Sequence, residues 1–80
     1  MVHILHTDGT RTEMDGKPSL EELQAAVGGY IEHVRITGRT GMYVNEEGLL
    51  MGLRTNPIAT LMANKMIVGD VVVYGPGDDV

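Results

Sequence analysis

The feature that most constrains the fold is the stretch from Val71 to Tyr74, in which three valines precede a tyrosine. β-branched and aromatic side chains favour extended backbone, and a strand that is apolar at consecutive positions needs cover on both faces. The stretch therefore predicts a central, doubly buried strand. Residues 75–80 are rich in glycine and aspartate and predict a frayed tail.

The length of the chain limits it to one core. Eighty residues are too few for two independent cores, so we expect a single domain over residues 1–80. Apolar residues make up 42% and charged residues 21%, a balance typical of folded rather than disordered chains. The sequence has no cysteine, which excludes disulfides and thiolate metal sites.

The charge balance limits the partners. Six Lys and Arg residues against eleven Asp and Glu residues give a net charge of −5, which repels phosphate backbones and anionic lipid. We therefore expect neither a nucleic-acid partner nor a membrane partner. No early segment combines a cationic start with an apolar stretch of signal-peptide length, so we expect a cytoplasmic protein.

Alternating apolar residues and turn signals predict the strands. Asp8-Gly9 is the signal for a tight hairpin, and Glu46-Glu47-Gly48 predicts a second reversal. The predicted strands cover about residues 2–6, 10–14, 30–37, 42–45, 49–51 and 67–74.

Capping signals predict two helices. Ser19 lies three residues before Glu22, the spacing of a capping box, and apolar residues then recur at helical spacing over Leu20 to Val27. Gly28-Gly29 ends this helix. Asn56-Pro57 begins a second helix, predicted over about Pro57 to Asn64.

This order of elements predicts an α+β domain with a mostly antiparallel small sheet and two helices packed on one face. The core has to come from Leu, Ile, Val and Met, because the sequence has no Phe or Trp. Four methionines, Met42, Met51, Met62 and Met66, lie in the second half, and we expect at least two of them to fill the core. So modest a core also predicts a homo-oligomer.

Glu32 is the carboxylate whose predicted position is least easily explained by solvation. Alternation places it with Tyr30, Val34 and Ile36, the face that we expect to point inward. Either its carboxylate reaches solvent at the edge of the sheet, or it faces a ligand, or it pairs with a cation. The available cations are Arg35, Arg39 and Arg54.

The loop Gly38–Gly41 offers backbone N–H groups and the Arg39 guanidinium to an anion. Neither the Walker spacing nor GxGxxG occurs, and a hairpin turn also explains the glycines. Glu46 and Glu47 lack the alternating oxygen ligands of a calcium loop, so we predict a solvated acidic turn.

The histidines give no metal or catalytic pattern. His3 and His6 are three apart on a predicted strand and therefore point to opposite faces, and His33 has no nucleophile or partner carboxylate at a recognised spacing. We expect no metal, no cofactor and no catalytic residue.

The order of four stretches resembles a known family of small uncharacterised proteins. The stretches are VGGYIEHV, YVNEEGLLMGL, RTNPIATLMA and IVGDVVVYG, which contain the motifs VGGYIE, NEEG, NPIAT and IVGDVVV. The family, a domain of unknown function, is found in bacteriophages, plasmids and their hosts. The resemblance implies a phage or mobile-element accessory protein in the cytoplasm of its host, and it brings no activity or catalytic residue.

Three functions remain open. The first is a non-enzymatic accessory protein that binds a host protein or a second copy of itself. The second is a small anionic-ligand or nucleotide-binding protein that uses Arg39, Arg54 and the Gly38–Gly41 loop. The third is a hydrolase with paired carboxylates such as Glu32 and Glu47, which requires a shared cleft. The candidate ligand-binding residues are Tyr30, Glu32, Arg39, Asn45, Glu47 and Arg54.

Overall fold

The computed structural model describes residues 1–78, which form five strands and two helices. The strands assemble into one sheet in the order β2-β1-β5-β4-β3, and every neighbouring pair is antiparallel. The predicted α+β class and antiparallel sheet are confirmed. The elements are β1 (His3–Leu5), β2 (Arg11–Glu13), α1 (Leu20–Val27), β3 (Ile31–Arg35), β4 (Gly41–Asn45), α2 (Pro57–Ala63) and β5 (Val71–Tyr74).

Strand β5 is the central strand, as its valines predict, and it has a helix on each face. Val72 packs with Leu23 and Val27 of α1. Val71 and Val73 point the other way, into the cluster that contains α2. The expectation that both helices pack on one face is wrong. The reason is the period of two along a strand: consecutive valines send side chains to both faces, and each face needs its own helix.

Side-chain caps fix where the helices begin. The Ser19 hydroxyl accepts a hydrogen bond from the Glu22 N–H at 3.1 Å, and the Glu22 carboxylate accepts one from the Ser19 N–H at 2.9 Å, which confirms the predicted capping box. Helix α1 ends before Gly28, which has a φ of 81°. Asn56 caps α2 and is fully buried. Its amide donates to the carbonyls of Leu5 and Gly69, both at 3.0 Å, so this cap also joins α2 to the sheet.

The segment between β4 and α2 contains no strand. Residues 49–51, predicted as a strand, form consecutive turns in which the Met51 N–H donates to the Glu47 carbonyl at 2.9 Å. That prediction is wrong because the apolar run 49–51 has no strand beside it to pair with. Of residues 67–70, only Val68 forms a bridge, to Thr55, so the predicted strand begins at Val71 instead.

The methionines divide between core and surface. Met42 is fully buried and Met62 packs against the same cluster, which confirms that two methionines fill the core. Met51 and Met66 are exposed.

Residues 75–78 of the predicted frayed tail form a turn in which Asp78 accepts a hydrogen bond from the Gly75 N–H at 2.7 Å. The last two residues of that tail lie outside the described residues. Within residues 1–78, no helix is long and apolar enough to cross a membrane.

Candidate functional site

A cavity of about 420 Å³ lies on the α2 side of the sheet, beside strands β3 and β4. Its floor is apolar and includes Val34, Val44 and Ile67, all of which are buried. The turn that follows β4 and the segment 65–68 form its walls. We call this cavity, together with the exposed side chains around it, the acidic groove.

The rim of the acidic groove carries more negative than positive charge. Three carboxylates line it, those of Glu32, Glu46 and Glu47, against one ammonium group, that of Lys65. All four residues are exposed. Within residues 1–78, Glu32 forms no ion pair. The groove therefore presents a negative surface to a ligand.

Large apolar side chains extend into solvent around the same rim. Leu50 is 87% exposed, and Leu49 and Met66 are also exposed. Single exposed apolar residues are ordinary, but several that surround one cavity form a patch of the kind that contacts a ligand or partner.

Asn45 holds the rim in position. It is buried, and its amide donates to the Val27 carbonyl at 3.0 Å, at the end of α1. Its Oδ1 accepts a hydrogen bond from the Glu47 N–H at 2.8 Å. This side chain thus shapes the turn that carries Glu46 and Glu47, in the manner of an Asx turn.

Gly48 brings the turn close to the opposite wall of the groove. A Cβ at this position would lie 2.7 Å from Cγ2 of Val68. Only glycine therefore allows the turn after β4 to pack this closely on the segment 65–68.

Three of the predicted ligand-binding residues come together at the groove. Glu32, Asn45 and Glu47 all line it. Tyr30 lies next to it, and its carbonyl accepts a hydrogen bond from the Glu46 N–H at 2.9 Å. The Tyr30 side chain is 66% exposed, so the expectation that it points inward is wrong. Tyr30 precedes β3, where the sheet no longer covers it.

The structure does not bring Arg39 and Arg54 together. Arg39 lies in the turn before β4, near the end where Gly41 pairs with Tyr74. The Arg54 carbonyl instead accepts a hydrogen bond from the Gly69 N–H at 2.7 Å, near the start of β5. Since β4 and β5 are antiparallel, the two arginines lie toward opposite ends of these strands.

Two side-chain networks outside the groove were not predicted. Nδ1 of His6 lies 2.8 Å from the Asp70 carboxylate, and its Nε2 lies 2.8 Å from the Thr12 hydroxyl. The second network joins His33 to Tyr74, with 2.6 Å between Nε2 and the hydroxyl. Each network joins residues far apart in sequence, so local spacing gives no signal for it.

Metal-ligating side chains do not cluster in the described part of the chain. Residues 1–78 contain no group of three or more histidine and carboxylate side chains placed to hold a metal ion.

Comparison with known proteins assigns the chain to a family. The sequence model of one protein family, the domain of unknown function DUF3846, matches residues 2–80. The chain therefore belongs to the DUF3846 family. No curated protein and no solved structure matches it significantly.

Proposed function

We propose that this DUF3846 domain is a non-enzymatic accessory protein that acts by binding another protein through the acidic groove. The observation that carries the proposal is the exposure of Leu49 and Leu50 beside a rim of three carboxylates. Exposed apolar side chains bordered by charged ones are typical of a protein-binding surface.

The energetics favour a partner that covers the leucines. Burial of one exposed leucine side chain contributes roughly 1.5–3 kcal/mol. The rim carboxylates add attraction for a positively charged partner and speed its approach. The partner surface that fits is therefore apolar and basic.

The biological setting of the proposal comes from the motifs. The resemblance implies a phage or mobile-element protein, and we propose that its partner is a host protein in the cytoplasm. Binding in a fixed ratio to such a target requires no catalytic residue.

Two matched leucine variants test the proposal. Leu50 and Leu61 are 87% and 81% exposed, but only Leu50 lines the groove. Immobilised wild type, Leu50→Asp and Leu61→Asp proteins are incubated with a bacterial lysate, and the retained proteins are quantified. We expect a protein that the wild type and Leu61→Asp retain and that Leu50→Asp loses. Equal retention by both variants contradicts the proposal.

A second candidate function is carboxylate-dependent hydrolysis. Glu32 and Glu47 line the same cavity, so the shared cleft that this chemistry needs is present. Turnover of aryl glycosides that disappears in both Glu32→Gln and Glu47→Gln, but not in Glu21→Gln on α1, would favour it. If the wild type turns over none of the aryl glycosides tested, the hydrolase function is contradicted and the protein-binding function is retained.

A further inference from the structure

Strand β3 lies at one edge of the sheet, and the alternation of its hydrogen bonds shows which groups face outward. The Glu46 N–H donates to the Tyr30 carbonyl, and the Ile36 N–H donates to the Thr40 carbonyl. In an antiparallel pair, hydrogen-bonded positions alternate with non-bonded ones. Tyr30 with Glu46 and Ile36 with Thr40 are therefore hydrogen-bonded pairs. Between them, every second residue of β3 bonds to β4, so the backbone groups of Glu32 and Val34 face β4.

The intervening residues, Ile31, His33 and Arg35, direct their backbone N–H and C=O groups away from β4. Among the described residues, no backbone hydrogen bond fills these positions. The strand pairs one residue to one with β4, without a bulge, and contains no proline. Bulges and prolines are two of the means by which proteins block an edge strand. The β3 edge is therefore open to another strand.

This open edge borders the acidic groove. Glu32 and Val34 alternate with the outward-bonding residues, and both line the groove. A strand added beside β3 would therefore place every second side chain over the groove. The other side chains would lie beside Ile31 and His33 on the opposite face of the sheet.

We infer that the partner binds as an extended segment that adds a sixth strand antiparallel to β3, like the other pairs of the sheet, with basic side chains over the acidic groove and apolar side chains beside Ile31. The inference rests on the proposed function and names its mode of binding. The lining carboxylates favour lysine or arginine on the groove side. The aliphatic parts of these lysine or arginine side chains cover Leu50, and their charged ends reach Glu32.

Charge argues against a second copy of this chain as the added strand. Two copies paired through β3 would bring two acidic grooves to one seam, and each chain carries a net charge of −5. Such a pairing would gather like charges rather than opposite ones.

The edge is tested first by two variants of Arg35. Its N–H faces outward, so Arg35→Pro removes an edge donor without removing a hydrogen bond to β4. Arg35→Ala removes the same charged side chain and keeps the donor. Circular dichroism and thermal unfolding are used to determine whether each variant is folded.

The probe is a capped ten-residue peptide of alternating lysine and valine. When the peptide pairs antiparallel to β3 with its lysines over the groove, its valine N–H groups face β3 and its lysine N–H groups face solvent. One matched peptide carries N-methyl groups on its central three valines, and another carries them on its central three lysines. Binding is followed by NMR shifts and by hydrogen exchange at Ile31, His33 and Arg35.

We expect the unmethylated peptide and the lysine-methylated peptide to bind and to protect these three amides. Loss of three edge hydrogen bonds should weaken the valine-methylated peptide by at least about tenfold. Arg35→Pro should weaken the unmethylated peptide and Arg35→Ala should not. If Arg35→Pro is unfolded, the two methylated peptides decide the question on the wild type alone.

Equal binding of both methylated peptides, or no binding of the unmethylated one, overturns strand addition. A dimer that is detected by sedimentation and abolished by Arg35→Pro would also overturn it, because the second copy would then occupy the edge. None of these results decides the proposed function, since the comparison of Leu50→Asp with Leu61→Asp tests groove binding separately.

Discussion

The amide of Asn45 joins the rim of the acidic groove to the end of helix α1. Its Oδ1 accepts the N–H of Glu47 at 2.8 Å, while its Nδ2 donates to the Val27 carbonyl at 3.0 Å. One buried side chain thus determines both the packing of α1 and the position of a rim carboxylate.

Asn45→Ala should lower the free energy of unfolding by about 1–3 kcal/mol, because it leaves a buried carbonyl and a backbone N–H without their partner. The measurement is urea unfolding followed by circular dichroism. Glu46→Ala, at the next position and exposed, serves as the control and should change stability by less than about 0.5 kcal/mol. Equal effects of the two substitutions would contradict the role assigned to Asn45.

Gly41→Ala should break the link between His33 and Tyr74. A Cβ at Gly41 would lie 2.9 Å from Nε2 of His33 and would overlap the Tyr74 hydroxyl. Overpacking of this kind costs about 1–3 kcal/mol. At Gly38 an added Cβ would meet nothing within 4 Å, so Gly38→Ala is the control. Histidine ring shifts in NMR spectra should change in the first variant only, and unchanged spectra of Gly41→Ala would refute the packing described.

Asp70→Ala should loosen the β1–β2 hairpin. The Asp70 carboxylate accepts hydrogen bonds from the Thr7 N–H at 3.0 Å and from His6 at 2.8 Å. Their loss should cost about 1–3 kcal/mol and speed hydrogen exchange in β1 and β2. Asp15→Ala, at an exposed position, is the control. Exchange that is unchanged in the hairpin would show that the network does not hold it.

Acidic pH should weaken the turn at Asp8. Hydrogen bonds from the hydroxyl and then the N–H of Thr10 lower the pKa of Asp8 below its usual value of 3.8. A carboxyl group whose pKa is lowered by folding stabilises the fold at pH values above its unfolded-state pKa. This stabilisation is lost as the pH falls through its folded-state pKa. Asp8→Asn should therefore have a lower Tm than the wild type near neutral pH, and the gap should close well below pH 3.8.

A difference between Asp8→Asn and the wild type that stays constant across the whole pH range would contradict the assignment.

The sequence predicts those parts of the fold that local chemistry determines. The valines at 71–73 predict the central strand, and the pair Ser19 and Glu22 predicts the start of α1 at Leu20, all as observed. The expectation that both helices pack on the same face of the sheet is wrong, although the alternation of the valines already requires cover on both faces. The strand predicted at 49–51 failed because its apolar residues are exposed and pair with no other strand.

The candidate site was only partly predictable for a related reason. Glu32, Asn45 and Glu47 could be selected from the sequence as candidate ligand-binding residues, but their shared cavity depends on the segment 65–68. The contact between His6 and Asp70 joins residues 64 positions apart in the sequence, so no short sequence motif predicts it. Such long-range placement follows from the strand order rather than from local spacing.

The central claim, that the acidic groove binds a protein partner, is tested most directly by photo-crosslinking in intact cells. A photoreactive amino acid replaces Leu50 in one variant and Leu61 in the other, two exposed positions of which only Leu50 lines the groove. We predict a covalent adduct with a cellular protein from position 50 that position 61 does not give, and a weaker adduct when Glu46 and Glu47 are replaced by glutamine. The same adducts from both positions, or none from position 50, would contradict the claim.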